Sequence, residues 1–189
     1  KVDDTRVRQL DEQGVHLAPW RREGRHILLI GQTLHGLSSQ HVDIRRWYVD
    51  TLHELRRHTA RSVLFRYHPR AIRLRTNSSR AETTKSAMEK LVKDVPDVRF
   101  SRSICIEDDL QDCWAVVAFT SNAAVNAVIR GVPVFVLDKA CMAWSAGSHN
   151  LERVEDPPLP DRTNWFNQLS YAQWTPGEMR SGVCWERLR

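Results

Sequence analysis

No stretch of this sequence approaches the roughly 20 consecutive apolar residues that cross a bilayer, and the opening KVDDTRVRQL lacks the apolar core of a secretory signal. Cysteine is scarce as well. Cys105, Cys113, Cys141 and Cys184 include no CxxC pair, which removes the usual zinc and dithiol signatures. Three of them lie in or beside apolar segments, where Cys behaves as a small hydrophobe, so reduced thiols in a cytoplasmic protein are expected. A zinc-protease helix is missing too. In HELRRH, His53 and His58 are five residues apart instead of four, which turns them about 140° from each other on a helix. The loop GQTLHGLSS, from Gly31, nearly spells a P-loop, but Leu37 stands where its lysine belongs. Without that cation on the β/γ-phosphates an NTPase reading is poor.

What is present suits one folded core. The chain has 189 residues, 41% of them hydrophobic. A formal charge of +5 and a pI near 9.3 favour anionic partners: nucleotides, nucleotide sugars, nucleic acid or acidic glycans. The tilt is mild, because Arg45, Arg46, Arg56, Arg57 and Arg61 fall along one predicted helix and its exit, where a solvated face accounts for them.

The chain is organised around Ala115 to Asp138, AVVAFTSNAAVNAVIRGVPVFVLD. An apolar run stops at Thr120-Ser121-Asn122, and apolar residues then recur at helical spacing: Ala124, Val125, Val128 and Ile129. Gly131 ends that helix, and Val132 to Leu137 is a second unalternated run, as in a strand buried on both faces. This is a βαβ unit with a right-handed crossover. Hydroxyls and free N–H groups at Thr120 to Asn122 face the positive end of a helix dipole, a place for a phosphate. Ser, Thr and Asn are also ordinary N-caps, and taken alone the cap is the better reading.

The remaining elements follow in order. Residues 1–26 read as an irregular lead-in interrupted by Pro19 and Gly24. Ile27 to Ile30 is a buried strand, and Val42 to Thr59 an amphipathic helix with Ile44, Trp47, Tyr48, Leu52 and Leu55 inward. Ser62 to Tyr67 is the next strand, ended by His68-Pro69. A basic loop, Ile72 to Arg80, a helix over Ala81 to Asp94 and a strand at Val98 to Phe100 come next. Glu107-Asp108-Asp109 opens a short helix in which the acids complement the dipole. The Pro-rich EDPPLPD is a hinge, WFNQLSYAQW is amphipathic, and Thr175-Pro176-Gly177-Glu178 starts a last helix with a capping box. Residues 27–150 are expected to form the main domain, with 151–189 a hinge and helical tail packed on it.

Five strands interleaved with helices predict an α/β, Rossmann-like doubly wound parallel sheet of order 3-2-1-4-5, whose ligand lies at the switch point between the first and fourth strands. That crevice would collect Gly31, Gln32 and Thr33, His68 from the second strand, Thr120, Ser121 and Asn122, and Asp138 after the fifth strand. Arg66, on the same side of its strand as His68, is a secondary candidate for neutralising charge.

In ordered short motifs from Ile27 to Trp144 the chain resembles the nucleotide-binding half of GT-B glycosyltransferases: GQ after the first strand, HP after the second, and TSNAAVNAVIRGVPVF. It looks most like bacterial capsule-polysaccharide enzymes of the Kdo transferase and polysialyltransferase type, and phage-type enzymes that glycosylate modified DNA bases share a similar organisation. The resemblance implies that His68, Thr120 and Ser121 bind the phosphate and nucleotide of an activated sugar, with no metal and no cofactor besides that donor. The implied reaction is transfer of the sugar to a glycan or modified DNA base. The pattern departs from the family in one respect: GT-B enzymes place the active site between two Rossmann-like domains, whereas residues 1–26 alone precede the first strand here. The general base is left unassigned. The alternative is a non-catalytic nucleotide or nucleic-acid binding domain using the same crevice with Arg70, Arg73, Arg75 and Arg80.

Overall fold

A computed structural model describes residues 4–32, 41–69 and 88–187. They fall into two compact units, Ala18–Pro160 and a second one built from both chain ends, Lys1–Leu17 with Asp161–Arg189. The change from one unit to the other at Pro160 lies within the Pro-rich run.

The larger unit is set by five short apolar strands: β1 (His26–Ile30), β2 (Ser62–Arg66), β3 (Val98–Phe100), β4 (Cys113–Ala118) and β5 (Val134–Val136). All pair in parallel in the order β3-β2-β1-β4-β5, the predicted doubly wound arrangement. β1 is central, with Ile30 opposite Arg66 of β2 and Leu29 opposite Val117 of β4. Because successive side chains point to opposite faces, Ile27, Leu29, Val63, Phe65, Ala115 and Val117 share one core cluster. Helix α2 (Ile44–His58) covers that face with Tyr48, Leu52 and Leu55, and Leu151 and Val154 join the cluster beside it. The intervening residues Leu28, Val116, Ala118 and Val136 are equally buried. Helix α4 (Ala123–Ile129) packs on β4 and β5 with Ala124, Val125, Ala127 and Val128 inward. Between β3 and β4 stands the short helix α3 (Ile106–Leu110).

Local chemistry explains where these elements begin and end. The Asp43 carboxylate accepts the N–H groups of Arg45 and Arg46 at 3.1 and 3.2 Å, starting α2. Gly131, at φ +75°, closes α4 where a side chain would be forced into Pro19 O. Residues 18–21 run alongside, donating Ala18 N to Ile129 O at 2.9 Å and Arg21 N to Gly131 O at 2.7 Å. The 151–156 segment is tied in by Trp114 Nε1, which donates to Val154 O at 2.6 Å, and by Glu155, which holds Arg61 at 3.0 Å.

In the smaller unit the expected irregular lead-in contains a helix, α1 (Thr5–Glu12). It packs against α5 (Thr163–Ser170), which buries Trp165, Phe166 and Leu169. Helix α6 (Pro176–Ser181) carries the anticipated capping box between Thr175 and Glu178, and α7 (Val183–Arg187) follows Gly182. The helix expected over Ala81 to Asp94 is described only from 88, where 88–91 are helical. Thr33, Leu37, Arg70, Arg73, Arg75 and Arg80 lie outside the described residues.

Candidate functional site

The carboxyl ends of β1 and β4 meet at the switch point, and what joins them is the side chain of Gln32. Gly31 and Gln32 follow β1 directly. Gly31 is buried, donates its N–H to Arg66 O at 2.7 Å, and a Cβ there would lie 2.7 Å from that same oxygen. Only glycine lets the two chains approach so closely as they leave the sheet. The next residue is gripped by α2: Gln32 N–H donates to the Tyr48 hydroxyl. Burial of that phenol raises its pKa, so it stays protonated and can also reach Gln32 O at 3.5 Å.

The Gln32 carboxamide then crosses to the turn after β4. With its oxygen facing the turn, Oε1 accepts from Thr120 Oγ1 at 2.9 Å, Thr120 N at 2.9 Å and Ser121 N at 3.1 Å. Three donors of one turn thus converge on a single oxygen. Ser121 Oγ accepts Ala123 N at 3.3 Å, so the serine is also a cap for α4, while the Asn122 side chain makes no cap bond. The cap reading of this turn is thus met by Ser121 Oγ, while the remaining donors of the turn meet Gln32.

His68 lies half-buried two residues beyond β2, on the same carboxyl edge. Tyr67 before it is buried and stacked on Phe100, with ring centroids 5.3 Å apart. Arg66 is a correction. Its side chain, 4% exposed, turns inward, donating to the carbonyls of Ser103 at 3.2 Å, Ile104 at 2.6 Å and Cys105 at 3.2 Å. It also pairs with Asp109, whose carboxylate takes Ser101 Oγ at 2.7 Å. The guanidinium therefore organises the β3–α3 connection and does not face the switch point. Asp109 likewise does more than complement a dipole: it is the buried counter-ion of Arg66. Glu107, by contrast, is exposed and meets Arg130 at 3.0 Å.

Asp138, two residues past β5, holds Ala140 N–H at 2.8 Å with one oxygen and His41 Nε2 at 3.2 Å with the other. The His41 ring rests 5.9 Å from that of Phe119, the residue before Thr120. The turn beginning at Asp138 returns to the same place, since Cys141 Sγ lies 3.7 Å from Ser121 O. Desolvation raises the Cys141 pKa, so this thiol is not a ready nucleophile. His41 was not singled out from sequence: it belongs to the connection after β1, and nothing in its spacing pairs it with residue 138.

Two open cavities lie elsewhere among the described residues. One of about 660 Å³, lined by Trp20, Arg21, Arg25 and Asp112, and one of about 360 Å³ that includes His26 and Arg99 open at the amino-terminal edge of β1 and β4. Of the cations there, Arg25 is held by Asp112, Arg21 by Leu110 O and Gln111 O, and Arg99 by Ser62 Oγ. In open α/β sheets ligands sit at the carboxyl edge, which is the opposite edge from these cavities. Among the described residues there is no cluster of potential metal ligands, and no helix is long and apolar enough to cross a membrane.

No protein-family model matches the chain, and no curated protein matches it significantly. Solved structures similar to it include two described as Kdo transferases. One is "Thermosulfurimonas dismutans KpsC, beta Kdo 2,4 transferase", at 14% identity and a TM-score of 0.42, covering 80% of this chain and 52% of that one. The other is "Thermosulfurimonas dismutans KpsC, beta Kdo 2,7 transferase", at 14% identity and a TM-score of 0.45, covering 92% of this chain and 64% of that one. The chain thus spans between half and two thirds of the length of these proteins. The fold itself is a five-stranded parallel Rossmann-like sheet, as the strand order establishes.

Proposed function

We propose that this chain binds the phosphate of a nucleotide-activated sugar at its switch point and takes part in glycosyl transfer to a glycan or a modified DNA base. The observation that carries the reading is the convergence of Thr120 Oγ1, Thr120 N and Ser121 N on one oxygen of Gln32. A turn that grips a carboxamide oxygen in this way has the donor geometry that a phosphate oxygen needs. As the bond from sugar to phosphate breaks, negative charge grows on the leaving phosphate, and donors already fixed in place lower that barrier without reorganising. Gly31 allows close backbone approach, His68 adds positive charge at this edge when protonated, and Asn122 stands at the start of α4.

A thermal-shift screen against CMP- and UDP-linked sugars and the free nucleotides tests the reading. A ligand binding only the folded state raises stability by mass action, about 2.7 kcal/mol at a hundredfold excess over Kd. The expected result is a shift with a nucleotide sugar that is lost in His68→Ala, with the unliganded melting temperature unchanged. No shift with any donor, alongside DNA binding that weakens steeply with salt, would replace glycosyl transfer by a nucleic-acid binding role.

A further inference from the structure

The pairing of His41 with Asp138 has no place in the phosphate contacts just described, and it does not hold the fold's interior together. His41 is 59% exposed, and the carboxylate that holds it is 20% exposed. Asp138 is itself fixed, with one oxygen on Ala140 N–H at 2.8 Å, so it presents the other to the ring from a constant position. A neutral imidazole that donates Nε2–H to this carboxylate keeps a lone pair on Nδ1. Among the described residues Nδ1 has no partner, and Phe119 backs the ring from the side of Thr120. The Asp138–Cys141 turn and the Thr120–Ser121 turn also share a wall through Cys141 and Ser121. A carboxylate-oriented imidazole thus lies beside Phe119, the residue that leads into the turn of the three converging donors, with most of its ring open to solvent.

We infer that His41 is the proton acceptor for the incoming hydroxyl in the proposed transfer, with Asp138 as its positioning residue. The inference rests on the glycosyl-transfer reading and assigns to that site the base that the sequence left open. In the step, the acceptor O–H proton passes to His41 Nδ1 and the acceptor oxygen forms a bond to the anomeric carbon. The bond from that carbon to the phosphate oxygen breaks with its electron pair, releasing the nucleotide, and the proton then leaves His41 for solvent. Asp138 fixes the tautomer and stabilises the imidazolium, the division of labour known from carboxylate–histidine pairs in hydrolases. In this arrangement Asp138 serves the acceptor side instead of binding the donor.

Water can stand in for the acceptor, so nucleotide release from CMP- and UDP-linked sugars is measurable with this chain alone. For His41→Gln, kcat for release is expected to fall about 10²- to 10⁴-fold, the usual contribution of a positioned general base, while donor affinity stays near that of the wild type. Asp138→Asn changes kcat in the same direction. Added imidazole restores turnover to His41→Ala and not to Asp138→Asn, which a merely structural histidine would not permit. Undiminished kcat in His41→Gln with donor still bound would overturn the assignment of His41 and leave the donor site standing. So would wild-type protein that binds donor and releases no nucleotide, or a His41→Ala variant indifferent to imidazole. Absence of donor binding to the wild type would remove both the reading and the inference.

Discussion

Gln32 is where sequence and site chemistry meet, because one carboxamide joins the loop after β1 to the turn after β4. Gln32→Glu would place a carboxylate on the same three donors, and that charge repels an incoming phosphate. The expected effect is a loss of donor affinity of about tenfold or more, equivalent to about 1.4 kcal/mol, read by titration calorimetry. Equal affinities would show that phosphate does not use these groups. Gly131 gives a residue-scale test of the fold instead. Gly131→Ala puts a Cβ at positive φ and against Pro19 O, so stability should fall by about 2 kcal/mol or more in urea unfolding. His41 and Arg66 mark the limit of sequence reading at this scale. Strand alternation correctly separates the faces of β2, yet it does not reveal that Asp109 waits inside the fold to pair with Arg66. Nor can local spacing bring His41 to Asp138, which is supplied by another strand's exit.

Among the elements, the strands and α2 were the most legible, because buried parallel strands read as unbroken apolar runs and α2 repeats its apolar residues at three and four. The strand order 3-2-1-4-5 comes from the doubly wound arrangement that strands alternating with helices suggest, and the pairings match it. Helix α1 escaped notice for a physical reason: it buries none of its residues completely, so it carries little apolar pattern. Its stability comes from packing on α5, a contact with residues more than 150 positions away. Two element-scale substitutions check these assignments. Asp43→Ala removes the oxygen that holds Arg45 and Arg46 N–H and should cost about 1 kcal/mol. Leu52, fully buried in α2, should cost about 2–5 kcal/mol as Leu52→Ala, through lost burial and the cavity left behind. Chemical denaturation measures both, and a neutral Leu52→Ala would mean that α2 does not seal this face of the sheet.

On the scale of the whole molecule, the smaller unit is assembled from the two ends of the chain. Arg6 is its clasp, donating to Ser170 O at 2.6 Å and Gln173 O at 2.8 Å, meeting Glu178 at 2.5 Å and lying over the Trp174 ring at 4.1 Å. The hydrogen bond from Arg6, followed by the Thr175 N–H, holds the Glu178 carboxyl down at about 2. Because this folded-state pKa lies below the ordinary value of about 4.3, the pair's contribution is present above that value. It is lost as pH falls from there toward about 2. Glu178→Gln should therefore weaken amide-exchange protection in the helices of this unit at pH 7, with the difference from wild type shrinking over that acid range. A difference independent of pH would mean that the clasp is held by the carbonyl contacts and the ring alone.

The larger unit offers a ligand two ends of one sheet: the carboxyl edge with its converging donors, and the amino-terminal edge with its open cavities. Backbone amide NMR during titration with a nucleotide sugar distinguishes them in one experiment. The expected result is that Gln32, Thr120 and Ser121 shift most, saturably and together. Shifts concentrated at Arg25 and Asp112, with Thr120 and Ser121 unmoved, would contradict a phosphate site at the switch point.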